Sequence, residues 1–417
     1  MRLIAWAKFQ LKTGFTFILK TFLRAIEVFP RLGALRPLLS SFVTLSRTQK
    51  RGGDDYPCPH DARDFQTDQW SDVKIIEVST FSNEKNARGI GHYLSSLFSE
   101  IDNSYLESVV FISFKNHNST LNIPEFFRGK SFYSFDSKCT NCFKLVRQFS
   151  KTTRGITFTS YFDEDISPKF CSVLLDLIPD SKVIVYDLIP KLNLLNFSNF
   201  LSMRNYFTKY NLLSRAKLYA ISRATKAEIE SQGLQVENVI KYDLTKADKS
   251  MVEREKTILL FGSMNPRKNV IRTVMAWDLI QKDCPGFKLT LIGDYGKASK
   301  TLIRSVLRSG SNSIEFTGEI SDLEIYRLLQ KSTLLVAPST AEGLGLPLIK
   351  AIKFGTPFIC AKIDSYQEIV AGTDSFFNPF SVRDISQTLR LAITSPDAFI
   401  TDPASSRIGV VPFSEIV

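Results

Sequence analysis

The chain has 417 residues, 44% of them hydrophobic and 23% charged, a length for two or three domains and a composition that excludes wholesale disorder and collagen-like repeats. Fifty-three basic against 42 acidic side chains leave a net charge of +11, which points to an anionic partner. Six cysteines are too few and too scattered for a disulfide framework, and the lone Cys139-x-x-Cys142 pair lacks the second ligand pair that zinc needs.

Residues 1–50 carry nine basic side chains and one acidic, Glu27, so most of the net charge sits there. Leu11, Phe15, Ile18, Phe22, Ala25 and Phe29 recur at helical spacing, with Lys8, Lys12, Lys20 and Arg24 to one side. A basic amphipathic helix over residues 1–45 is expected, suited through residues 1–30 to an anionic membrane interface. Packing on the body of the protein and a transit peptide are the alternatives. No apolar run is long enough to span a bilayer, and the lysines interrupt any signal-peptide core. Residues 46–72 are polar and contain Gly52-Gly53, Pro57 and Pro59, which reads as a linker.

Folded structure is expected from Val73. Strands are predicted at Val73–Ser79, Ser108–Phe114, Gly155–Ser160, Lys182–Tyr186 and Ala216–Ile221, with helical segments between them, the first over Tyr93–Ile101. A charged stretch, Lys246–Arg254, separates this part from a second series. There, strands at Thr257–Phe261, Phe287–Ile292, Ile314–Thr317, Thr333–Ala337 and Thr356–Ala361 alternate with helices at Val270–Ile280 and Ser321–Gln330. Alternating strands and helices give an α/β fold of parallel sheets. The expected architecture is two Rossmann-like doubly wound domains, residues 73–250 and 251–396, facing across a cleft. Residues 397–417 are expected as an irregular tail. Ligands bind such sheets at the carboxyl ends of the strands, so the loops there hold the candidate residues.

Those loops carry five spaced motifs: Arg88-Gly89-Ile-Gly91-His92-Tyr93, Asp187-Leu-Ile-Pro190, Gly262-Ser263-Met-Asn-Pro-Arg267-Lys268-Asn269, Phe316-Thr-Gly318-Glu319-Ile320, and Pro338-Ser-Thr-Ala-Glu342-Gly343-Leu344-Gly345-Leu346-Pro347 followed by Gly355-Thr-Pro357. In this order they resemble the retaining GT-B glycosyltransferases of the family-4 type, mannosyltransferase-like members in particular, over roughly Val73 to Pro396. The resemblance implies transfer of a sugar from a nucleotide sugar, GDP-mannose or a UDP-sugar, to a glycan or lipid-linked saccharide with retention at the anomeric carbon. It implies no metal and no resident cofactor; with the basic amino-terminal helix, a peripheral place at the cytoplasmic membrane face is expected.

The chemistry suits these residue types. A departing nucleoside diphosphate gathers negative charge, which fixed cations and backbone N–H groups stabilise. Arg267 and Lys268 are expected to supply that charge, and the resemblance implies that Glu342, the third catalytic candidate, binds the transferred sugar. A solvated loop, and a helix N-terminal acid favoured by the dipole, are the plain alternatives. By resemblance, Gly262, Ser263, Gly318, Glu319, Ile320, Gly343, Leu344, Gly345, Leu346 and Lys350 contact the donor. Gly89, Gly91, His92, Tyr186 and Asp187 serve the acceptor side or the donor sugar.

Three departures from the family pattern stand out. Lys350 occupies the position of a second carboxylate that holds the ribose hydroxyls; a lysine has no acceptor, and could instead reach a phosphate. Tyr186 replaces a histidine. Only 21 residues follow Pro396, so the closing helices that cross back to the first domain are expected short or absent. A fold that has lost catalysis and serves as a binding or scaffold subunit is therefore the competing reading. Nucleic acid is not an expected partner, because the charge is concentrated at one end without aromatic interleaving.

Overall fold

The computed structural model describes residues 73–82, 90–115, 127, 130–192, 199–244, 253–307, 313–370, 372, 374–399 and 407–417. The helix expected over 1–45, the linker over 46–72, and Arg88 and Gly89 lie outside the described residues. Among the described residues, no helix is long and apolar enough to cross a membrane.

Two parallel sheets organise the chain. The first holds β1 (Lys74–Glu77), β2 (Val109–Lys115), β3 (Phe132–Asp136), β4 (Gly155–Phe158), β5 (Asp180–Val185), β6 (Lys217–Ala220) and β7 (Val236–Val239) in the order β3-β2-β1-β4-β5-β6-β7. Its helices are α1 (His92–Phe98), α2 (Asn103–Glu107), α3 (Thr140–Phe149), α4 (Pro168–Leu177), α5 (Ile189–Leu192), α6 (Phe200–Leu212) and α7 (Arg223–Ser231). A short strand, β8 (Tyr242–Asp243), follows. The second sheet holds β9 (Glu255–Phe261), β10 (Lys288–Ile292), β11 (Ile314–Gly318), β12 (Ser332–Ala337), β13 (Phe358–Ala361) and β14 (Phe376–Phe377) in the order β11-β10-β9-β12-β13-β14. Its helices are α8 (Val270–Ile280), α9 (Gly296–Val306), α10 (Asp322–Lys331), α11 (Leu346–Phe354), α12 (Asp364–Gln367) and α13 (Val382–Thr394).

Both sheets reverse their winding beside the first strand, between β1 and β4 and between β9 and β12. That arrangement opens a crevice at the carboxyl ends of the strands. Residues of β4 and β12 are buried throughout, because helices cover both faces of a parallel sheet and remove the alternation of a half-exposed strand. α8 packs on α13, and its Trp277 is fully buried, the indole N–H donating to Ser313 Oγ at 2.9 Å; a large apolar side chain contributes about 1.5–3 kcal/mol by leaving water. The Cys139–Cys142 pair is accounted for locally: the Cys139 sulfur accepts the Cys142 N–H at the start of α3, and Cys142 is buried in the core.

The domains meet through α7. Its N-cap, Ser222, donates its hydroxyl to the Gly343 carbonyl at 2.6 Å. The Glu368 carboxylate accepts the Arg223 N–H at 2.9 Å, so an acid of the second domain caps a helix of the first.

The final residues correct the expectation of an irregular tail. β15 (Arg407–Ile408) pairs antiparallel with β8, and α14 (Phe413–Ile416) returns to the first sheet. There Thr157 and Lys182 donate to the Ile416 carbonyl at 3.2 and 2.7 Å, and Phe413 meets Phe98 edge-on at 5.1 Å. The expectation failed because one glycine does the work of a longer connection. Gly409 has φ +72°, and a Cβ there would stand 2.1 Å from the Ile240 carbonyl oxygen, so only glycine lets the chains cross so closely.

Candidate functional site

A cleft of about 780 Å³ lies between the domains and collects almost every residue singled out from the sequence. On its second-domain wall, β9 ends at Gly262 and Ser263. The Asn265 side chain accepts the Arg267 N–H and forms a single 3-10 turn, Pro266–Lys268. Asn269 then reverses the chain into α8 at φ +54°. This left-handed conformation is costly for a residue with a side chain. It is held here by the Asn269 amide, which donates to the Pro338 carbonyl at 3.1 Å and to the Pro379 carbonyl at 2.7 Å. The strained turn points both cations toward the loop after β12.

There they meet one carboxylate. Arg267 Nη1 lies 2.8 Å from Glu342 Oε2, and Lys268 Nζ lies 2.6 Å from Glu342 Oε1. Burial alone pushes the Glu342 carboxyl up, but the adjoining Lys268 and Arg267 cations, with hydrogen bonds from Lys268 and Ser339, hold it down at about 2. Glu342 is therefore an acceptor-only carboxylate near neutral pH. Across the cleft, Asp187 is pushed up by burial and drawn back by Arg267, and it uses one oxygen to accept the Ile189 N–H at 3.0 Å.

The loop glycines have packing reasons besides access. A Cβ on Gly343 would stand 2.0 Å from the Tyr186 carbonyl oxygen of the other domain, and one on Gly345, at φ +88°, would strike the Tyr366 ring at 2.4 Å. Leu344 is buried beneath the loop, and Leu346 opens α11. Gly318, Glu319 and Ile320 line the cleft where β11 ends. On the first-domain side, Gly91 has ordinary helical geometry, φ −61°, and its neighbours Ile90, His92 and Tyr93 form the wall.

Two predicted residues of the cleft have partners that the sequence does not show. The Tyr186 hydroxyl donates to the Thr159 carbonyl at 2.9 Å, so the side chain is turned into its own sheet while its carbonyl faces Gly343. Lys350 donates to Asp322 Oδ1 at 3.2 Å, and its ammonium lies 5.4 Å from the centre of the Tyr326 ring. Asp322, at the first position of α10, also takes His92 Nδ1 at 3.1 Å on its other oxygen. Burial lowers the His92 pKa from its ordinary value, and the adjacent Asp322 carboxylate opposes this. Sequence reading missed Asp322. The available signal was the Ser321-x-x-Glu324 capping box, which both side chains complete and which places residue 322 at a helix start beside the β11 loop.

The sequence from residue 242 to 402 matches the family of glycosyl transferases group 1. That span contains β9 to β14 and the whole Arg267–Lys268–Glu342 cluster. Residues 242–402 are a glycosyl transferases group 1 domain. The serotype-specific mannosyltransferase WbdA of Escherichia coli is 26% identical over 262 residues, 56% of this chain and 32% of that protein. The O-antigen chain mannosyltransferase B of Escherichia coli is 30% identical over 130 residues, 31% of this chain and 34% of its own. The chain thus spans about a third of the length of these curated relatives.

Both halves of the fold have counterparts. The Anabaena HepE structure in complex with UDP-glucose superposes with TM-score 0.60 at 17% identity, covering 79% of this chain and 92% of that one. The sucrose-phosphate synthase of Thermosynechococcus elongatus gives 0.54 at 14% identity, over 79% and 91%. The architecture is GT-B, the glycosyl transferases group 1 domain forming its second half.

Proposed function

We propose that the protein is a retaining glycosyltransferase that moves a sugar, mannose by preference, from a nucleoside diphosphate donor to a growing glycan or lipid-linked saccharide. The observation that carries this reading is the Arg267–Glu342–Lys268 cluster at the cleft floor. When the bond between anomeric carbon and diphosphate breaks, the electron pair leaves with the phosphate. Two preorganised cations meet that charge, so little reorganisation is needed as it forms. Glu342, ionised and acceptor-only, takes hydroxyls of the transferred sugar, whose ring passes through an oxocarbenium-like state. The reading needs no resident cofactor, because the donor is itself a substrate and Arg267 and Lys268 supply the positive charge. Closure of the cleft excludes water from a donor that it could hydrolyse.

The preference for mannose, and for a polysaccharide of the O-antigen kind, is supported by the names of the mannosyltransferase relatives. A lipid-linked acceptor agrees with the basic residues 1–30 and with peripheral association at a cytoplasmic membrane face. The test is transfer by the purified protein from GDP-mannose and from UDP-sugars to a saccharide acceptor. Lys268→Ala and Glu342→Ala are each expected to lower transfer by about 100-fold or more, the scale for losing one group preorganised toward transition-state charge. Full activity in either variant removes the assignment.

A further inference from the structure

Three side chains from three elements converge on the cleft wall beside Gly318–Ile320: His92 from α1, Asp322 from α10 and Lys350 from α11. One Asp322 oxygen accepts the Lys350 ammonium at 3.2 Å, and His92 Nδ1 lies 3.1 Å from the other. A carboxylate offers about four lone-pair sites, so each oxygen keeps capacity for one more donor. The carboxylate is a third exposed and lines the cleft, so that capacity is within reach of a ligand.

The surroundings select the ligand group. A cationic ligand would meet the Lys350 ammonium at the same place. An anionic one would meet the carboxylate. Neutral O–H donors meet neither objection, and a carboxylate with two free acceptor sites side by side matches a pair of adjacent hydroxyls. Lys350 and His92 hold the carboxylate in a fixed plane, so little rotamer freedom is lost when such a pair binds.

Building on the donor-site reading above, we propose that Asp322 is the residue that recognises the vicinal 2′,3′-hydroxyls of the donor's ribose, with Lys350 and His92 as its positioning residues. A lysine at position 350 then costs the cleft no acceptor, since the carboxylate has moved to the facing helix. The same contact joins the domains, because His92 belongs to the first and Asp322 to the second.

Calorimetric titration of the full chain with GDP, UDP and their 2′-deoxy counterparts tests this. The wild type is expected to bind one ribonucleotide at least tenfold tighter than its 2′-deoxy form. In Asp322→Ala the ratio falls to within twofold, because the residue that reads the hydroxyl is gone. Asp322→Asn, nearly isosteric, keeps one acceptor and gives an intermediate ratio, which guards against a failure of Asp322→Ala to fold. Undiminished discrimination in both variants, or none in the wild type, overturns the role of Asp322 and leaves the donor site standing. No binding of any of the four nucleotides to folded wild type overturns the donor-site reading itself.

Discussion

Glu342→Gln is a sharp test of the cleft electrostatics, because its effect on stability has a computable size and a definite pH dependence. The Glu342 carboxyl is held at about 2 against an ordinary 4.5. A difference of two and a half units corresponds to about 3 kcal/mol of stability at pH 7, at about 1.36 kcal/mol per unit. The side chain is only 11% exposed, so solvent screening removes little of that. Since the folded value is depressed, the contribution is complete above the unfolded value and is lost as pH falls toward 2. At pH 3.5 about 2 kcal/mol should remain. Glutamine keeps the shape and removes the charge, and it leaves Arg267 and Lys268 without the carboxylate that both touch; removing one partner of a buried pair costs about 3–5 kcal/mol. Urea unfolding of wild type and Glu342→Gln at pH 7 and pH 3.5 measures the difference directly. A gap of about 3 kcal/mol that narrows by a third or more at the lower pH is the expected result. A gap below about 0.5 kcal/mol at pH 7, or one that does not change with pH, would refute the claim that the two cations hold this carboxylate ionised.

Glu77 should behave with the opposite sign. It is buried at the end of β1, where it accepts the N–H groups of Ser79 and Ser160, and burial raises its pKa to about 7. The stability tied to its protonated form is complete below 4.5 and is lost as pH rises to 7, a change of about 3 kcal/mol; wild type should lose that much between pH 4.5 and 8 in urea unfolding, and Glu77→Gln should not. Gly343→Ala places a methyl group against the Tyr186 carbonyl oxygen at 2.0 Å, so the domain contact must open. A loss of about 1–3 kcal/mol is expected, with faster proteolysis between the domains; unchanged values for both would show that the domain contact is not needed at Gly343.

The central strands of both sheets are legible in the sequence because they are continuous apolar runs, as in Ile258-Leu-Leu-Phe261 and Leu334-Leu-Val-Ala337. Both are flanked by paired strands and covered by helices. The strands that sequence reading passed over sit at the rims. β3 and β7 are the outermost strands of the first sheet and β14 is the last of the second. Val236-Glu-Asn-Val239 leaves its second residue exposed, and Phe376-Phe377 is too short to show any period. For these, pairing with the neighbouring strand supplies what local pattern does not. The closing tail was illegible for a related reason: Gly409-Val-Val-Pro-Phe has no helical spacing, and its placement depends on a backbone crossing visible only in three dimensions.

The same distinction divides the site. Arg267, Lys268 and Glu342 stand in loops that directly follow the adjacent strands β9 and β12, so the strand-loop-helix pattern alone brings them to one end of one sheet. Asp322 is joined to Lys350 across 28 residues and to His92 across 230 and a domain boundary. No spacing rule spans such distances. Read along the chain, lysine at position 350 is the loss of an acceptor; read in space, its ammonium orients a carboxylate that lies in the same wall of the cleft. A substitution that breaks a motif therefore does not by itself argue for lost activity, because the chemistry can be kept by a partner that the motif does not contain. Tyr186 makes the complementary point. Along the chain it is a replacement for histidine, but its hydroxyl is bonded to Thr159 and its ring packs edge-on against Tyr93. Its contribution to the cleft is the carbonyl that sets the closest approach of the two domains at Gly343.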